Sequence, residues 1–260
     1  MTIMSVTIQL LLCSLALFTS MLACQEAGRR VGMAALRKHP QDGAKGGATE
    51  ATVFALLGLV VAFTFSGAGA RFEARRALIT EETNNIGTAY LRLDLLATDA
   101  QPALREMFRS YTSLRSNPPA LGDRAVADAW YARASEMQQR IWRDSLTAAQ
   151  RPESASQATM LLMPALNAMI DITTTRQMAM RNHPPSAIFI LLAGLSLTGS
   201  FLVGHATANV KSGGWMQKIL FAAVVSLAMY LILDLEFPRA GWIQVGDSDR
   251  ALSELGQSMR

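Results

Sequence analysis

Four stretches of the chain are apolar over about the twenty residues that a membrane-crossing helix needs. They are Ile3–Ala23, Ala51–Ala70, Ser186–Ala206 and the shorter Ile219–Leu233. Between the second and third lies a long stretch in which charges return, residues 71–185, and its apolar positions recur at helical spacing. Ile79, Ile86, Tyr90, Leu93 and Leu96 form one such stripe, with no Pro between Arg71 and Leu96, so the second apolar segment is expected to run on as helix. Asp99 is placed to cap a new helix with Pro102 in its first turn, ending before Asn117-Pro118-Pro119. A further helix is expected over about Asp123–Gln150, with Val126, Trp130, Met137, Ile141 and Leu146 on one side. Another runs from about Glu153 to Arg181, kinked at Pro164, and His183-Pro184-Pro185 breaks the chain before the third apolar run. A short amphipathic helix, Ala251–Met259, closes the chain, and no run reads as a β-strand.

The pattern predicts an all-α, polytopic membrane protein with four transmembrane helices and a helical extramembrane insert between the second and third. The expected divisions are a first hairpin over residues 1–70 with a Gly-rich basic connection from Cys24 to Glu50, the insert at 71–185, a second hairpin at 186–236 and a tail at 237–260. No Lys or Arg precedes Arg29, which argues against a cleaved secretory leader. Met21-Leu22-Ala23-Cys24 fits a lipoprotein cleavage site poorly, so residues 3–24 are taken as a retained membrane helix.

Composition agrees. Half of the 260 residues are hydrophobic and only 17% are charged, below the quarter of an ordinary soluble domain. The net charge is +4 and the basic side is nearly all arginine, twenty against four Lys, but the arginines alternate with acids on helix-like segments instead of forming a nucleic-acid-binding stripe. Cys13 and Cys24 are too few for a disulfide framework or a metal site. His39, His183 and His205 fall in connections or at segment ends, with no partner at ligand spacing, and read as loop-surface residues. Asp42-Gly43-Ala44-Lys45-Gly46-Gly47 lacks phosphate-loop spacing and reads as a linker. Glu81 and Glu82 are adjacent on a helix and are expected to be exposed. No nucleophile–base pair stands out, so neither an enzyme nor a cofactor is expected, and the absence of inverted repeats argues against a transporter.

The second apolar segment carries the most information. Ala55, Leu59 and Phe63 are four apart and form a ridge along one helix face. Ser66, Gly67 and Gly69 allow close backbone approach in lipid, and Arg71, Arg75 and Arg76 follow within two turns. Phe63 stands eight residues before Arg71-Phe72-Glu73-Ala74-Arg75. This stretch resembles the second membrane helix of the bestrophins, pentameric anion channels, although it is one aromatic short. The tail, Leu233-Asp234-Leu235-Glu236-Phe237-Pro238-Arg239-Ala240-Gly241 followed by Asp247-Ser248-Asp249-Arg250, is similar to the exit of their fourth membrane helix. Asn84–Leu96 and Leu166–Arg176 are similar to the bacterial bestrophin-like domain proteins, a likeness that spans nearly the whole chain.

The resemblance implies a homo-oligomer, a pentamer in that family, embedded in the bilayer of the inner membrane, with the second helix lining a common pore. Ala55, Leu59 and Phe63 would form an apolar neck, and Arg71, Arg75 and Arg76 would concentrate small anions such as chloride at one mouth. No acidic ring stands among these positions, which disfavours cation selectivity. Asp234, Glu236, Asp247 and Asp249 do not make a recognised calcium loop. The alternative is a non-conducting membrane scaffold or sensor whose insert binds a partner. The basic Cys24–Glu50 connection favours an insert outside the cytoplasm, whereas the resemblance implies a cytoplasmic insert.

Overall fold

The computed structural model of the chain describes residues 3–38, 47–119, 124–208, 214–237, 242 and 246–259. Its elements are α1 (Ile3–Lys38), α2 (Gly47–Leu91), a short 3-10 helix (Arg92–Leu95), α3 (Gln101–Ser116), α4 (Arg124–Ala149), α5 (Ala158–Arg181), α6 (Ser186–Ala206), α7 (Trp215–Glu236) and α8 (Gly246–Ser258). No strand occurs among the described residues, and the fold class is all-α. Val6–Lys38, Gly47–Leu95, Ala158–Ala206 and Trp215–Glu236 are each long and apolar enough to cross a membrane. The chain divides into two compact units. The membrane unit comprises Met4–Ala70 and His183–Phe237. The insert unit comprises Met1–Ile3, Arg71–Asn182 and Pro238–Arg260.

In the membrane unit, α1 does not stop at Ala23. It continues to Lys38, through what the sequence suggests is a Gly-rich connection. No proline interrupts it, and Glu26 pairs with Arg29 at 2.8 Å and with Arg30 at 3.0 Å across successive turns. Its glycines serve packing. A Cβ on Gly28 would stand 2.0 Å from the Phe201 carbonyl oxygen, and one on Gly204 would stand 1.9 Å from that of Gln25. Gly28 and Gly32 are four apart, the small-residue spacing that lets membrane helices approach closely. Replacing Gly204 by alanine is therefore expected to force α1 and α6 apart at a cost of about 1–3 kcal/mol. Gly58→Ala, at a position with nothing within 4 Å, should leave stability unchanged or slightly raised. Thermal unfolding of the detergent-solubilised variants checks both.

The insert unit buries the α2 stripe as its pattern predicts: Ile79, Ile86, Tyr90, Leu93 and Leu96 are all inside. Tyr90 meets Phe108 of α3 edge-on at 6.0 Å between ring centroids. On α4, Ile141 is fully buried, whereas Val126 is half exposed. Two boundaries differ from the sequence pattern. Asp99 is not the cap of α3: that position belongs to Ala100, and the Asp99 carboxylate accepts a 2.9 Å hydrogen bond from Arg151 instead. Helix α5 begins at Ala158 rather than Glu153, because Ser154 is held in turns by its bonds to Ala97 N and the Ala148 carbonyl. The C-terminal α8 packs on α3, with Leu252 and Met259 buried and Gly256 against Thr112.

Candidate functional site on the second helix

Within the membrane unit one side of α2 packs and the other does not. Leu57, Thr64 and Ala68 recur at seven and four residues and are buried. The Thr64 hydroxyl satisfies itself on the Val60 carbonyl at 2.8 Å, so the packed side presents no unpaired donor. Ala55, Leu59 and Phe63 lie on the remaining surface. All three are exposed, Leu59 to 52% and Phe63 to 70%. Such large apolar side chains turned away from their own subunit need a lipid, a second copy or a dewetted conduit against them.

The three arginines that follow belong to the insert unit and have separate surroundings. Arg71 is half-buried. Arg75 is 3% exposed, and its guanidinium donates from Nε to the Ala179 carbonyl at 3.2 Å and from Nη2 to that of Asn182 at 2.9 Å. It thereby satisfies carbonyls at the end of α5, where a cation also opposes the helix dipole. Arg76 pairs with Glu73 at 3.1 Å and sits 5.9 Å from the Phe72 ring centroid. The arginines are thus not gathered on a single open face.

Deeper in the insert unit lies a charged cluster that reverses the expectation for Glu82. Glu81 is exposed, but Glu82 is fully buried. Its carboxylate accepts from Arg115 Nε at 2.5 Å and Nη2 at 3.1 Å, and from Arg176 Nη1. One carboxylate therefore ties α2, α3 and α5 together. Arg115 Nη1 has no acceptor and the guanidinium carbon instead lies 4.4 Å from the Trp130 ring centroid. Burial alone would lower the Arg115 pKa, but the Glu82 carboxylate outweighs it and holds the guanidinium above its ordinary range. The sequence carries a signal for this cluster. Glu82 falls between Ile79 and Ile86, Arg115 follows Tyr111, and Arg176 follows Ile172, each at helical spacing within an apolar stripe.

Tyr111 lies beside the cluster, its hydroxyl accepting from Gln138 at 2.8 Å. Burial pushes its phenol well above the ordinary range, against the opposing pull of the Arg115 charge. Above about pH 10 the unfolded phenol loses its proton while the buried one keeps it. The stabilisation from a neutral Tyr111 is therefore complete below that pH and declines as pH rises. The unfolding temperature of the insert unit is expected to fall between about pH 10 and 11.5, and Tyr111→Phe should flatten that fall in circular-dichroism melts.

His183 is not simply a loop-surface residue. Its Nδ1 lies 3.3 Å from Glu236 Oε2, a carboxylate only 1% exposed, and its ring packs on Phe237. Cys13 and Cys24 are free thiols. Among the described residues no three His, Cys, Asp or Glu side chains converge, so none can be assigned to hold a metal. His39 and the Asp42–Gly46 linker lie outside the described residues.

Comparison with known proteins places this arrangement. Residues 43–249 match the model of the bestrophin-like domain. No curated protein matches the chain significantly. Among solved structures, the chain superposes on two crystal structures of point mutants of a bacterial bestrophin homologue from Klebsiella pneumoniae. The first gives a TM-score of 0.71 at 12% identity, covering 93% of this chain and 99% of that one. The second gives 0.71 at 13% identity, covering 94% and 98%. A variant described only as a membrane protein superposes with a TM-score of 0.66 at 12% identity, over 93% and 99% of the two chains. At such identities these superpositions establish the fold, and the domain match establishes the family: the chain belongs to the bestrophin-like domain family.

Proposed function

We propose that the protein is an oligomeric channel of the inner membrane that conducts small anions such as chloride through a pore lined by α2. The observation that carries this reading is the exposed ridge. Ala55, Leu59 and Phe63 are exposed on the side of α2 opposite its buried Leu57, Thr64 and Ala68, in a chain of this family. Copies arranged about an axis, five by family likeness, would turn the ridge inward as a narrow apolar neck. Such a constriction gates by dewetting, and the Phe63 ring offers an anion its positive edge without a fixed charge.

Arg71, Arg75 and Arg76 raise the anion concentration at one mouth. Glu73 offsets part of the charge of Arg76. Purified protein in planar bilayers under a potassium chloride gradient is expected to pass a current whose reversal potential moves toward the chloride equilibrium value. A preparation that passes no current, with or without Phe63→Ala, contradicts the reading.

A second reading, a non-conducting scaffold or sensor, draws on a groove of about 320 Å³ between α3 and α4. Met107, Ser110, Arg133, Met137 and Arg140 line it beside Glu106 and Glu136, a mixed surface suited to a partner segment. A monomeric or dimeric particle favours this second reading, and a ring with an axial conduit favours the first.

A further inference from the structure

The last third of α1 has two dissimilar sides. Met21, Gln25, Gly28 and Gly32 recur at three- and four-residue intervals and make the packed side. Glu26, Arg30, Met33 and Arg37 recur at the same spacing on another face. The Arg30 side chain is 74% exposed, and Arg37 and Lys38 are exposed as well. Gln25 Nε2 donates to the Lys218 carbonyl at 3.1 Å, which sets the start of α7 against this part of α1 and adds another cation to it. Arg29 and Arg30 share the single carboxylate of Glu26. Arg37, Lys38 and Lys218 make no ion pair among the described residues.

The position of this face along the helices matters as much as its sign. The charge-free run Val6–Ala23 immediately precedes it on α1, and apolar sequence resumes on α7 at Ile219. Arg30 stands two turns beyond the first run and Lys218 directly abuts the second, at the depth of lipid headgroups, while Arg37 and Lys38 continue the helix about two turns further outward. Trp215, 67% exposed, opens α7 at the same level. Tryptophan is the residue type that settles at a membrane–water boundary. A nucleic-acid surface would instead need stacking aromatics along a groove clear of the apolar spans.

We propose that the outward face of Arg30, Arg37 and Lys38, with Lys218, is a docking surface for the anionic headgroups of phospholipids. The cations supply charge complementarity to phosphate, and the adjoining apolar runs accept the acyl chains. Each cation near the surface contributes about a fivefold preference for anionic over zwitterionic lipid. This surface requires no pore, so its success or failure is separate from that of the channel reading.

The test uses the full chain reconstituted in phosphatidylcholine vesicles, with tryptophan fluorescence quenched by brominated phosphatidylglycerol or by brominated phosphatidylcholine. The wild type is expected to show stronger quenching by the anionic lipid, with that preference shrinking as salt rises. The triple variant Arg30→Gln, Arg37→Gln, Lys218→Gln should lose about fivefold per cation removed, while Arg143→Gln, on exposed α4 surface outside the α3–α4 groove, should keep the wild-type preference. Should the triple variant fail to reconstitute, the salt series on the wild type decides. Equal quenching by both lipids in the wild type, an unchanged preference in the triple variant, or retention of nucleic acid in place of lipid selectivity would each overturn the proposal.

Discussion

Glu82→Gln is expected to destabilise the insert unit by about 3–5 kcal/mol, the cost of removing one partner from a buried ion cluster. The amide still fits the space but leaves Arg115 and Arg176, buried to 0% and 8% exposure, without a counter-charge. Arg115 has little else to turn to: its Nη1 already lacks an acceptor and its remaining compensation is the Trp130 ring. Glu81→Gln, one residue away on the exposed side, should change stability by less than about 0.5 kcal/mol. Replacing all three charged residues by methionine should recover most of the loss, because an apolar cluster of similar volume carries no desolvation penalty. Denaturant unfolding followed by circular dichroism reads all three variants. A small effect of Glu82→Gln would mean that the cluster is hydrated and does not tie α2 to α3 and α5.

Phe63→Ala is expected to raise single-channel anion conductance several-fold. The side chain is the bulkiest of the proposed neck and is 70% exposed in the isolated subunit, so its removal opens the conduit without unpacking the subunit. A wider and less apolar constriction also wets more readily, which lengthens openings. Phe65→Ala is the matching control. Phe65 is also exposed, at 45%, but two residues of helix turn it about 160° away from Phe63. Its truncation should leave conductance unchanged. Equal effects of the two substitutions would mean that no single face of α2 borders the ion path.

The pattern of apolar runs was enough to read the all-α class, the four spans and the insert's helices, because each of these is set by local periodicity. What it misplaced depends on distant partners. The Gly-rich stretch after Ala23 reads as a connection, yet α1 continues through Gly28 and Gly32, where the backbone of α6 approaches. Glu82 looks like a surface charge until Arg115 and Arg176, the latter 94 residues away, close around it. Asp99 has the chemistry of a cap but is drawn to Arg151. For the candidate site, the ridge of Ala55, Leu59 and Phe63 is legible from a four-residue spacing. The spacing of Arg71, Arg75 and Arg76 does not reveal that Arg75 is committed to carbonyls at the end of α5.

The most direct measurement is the symmetry and pore lining of the detergent-solubilised particle by electron cryo-microscopy. A closed ring of identical subunits is expected, with Phe63 from every copy narrowing an axial passage and Leu59 and Ala55 bordering it. A monomer or dimer, or a ring in which Phe63 points outward into the detergent belt, would contradict it.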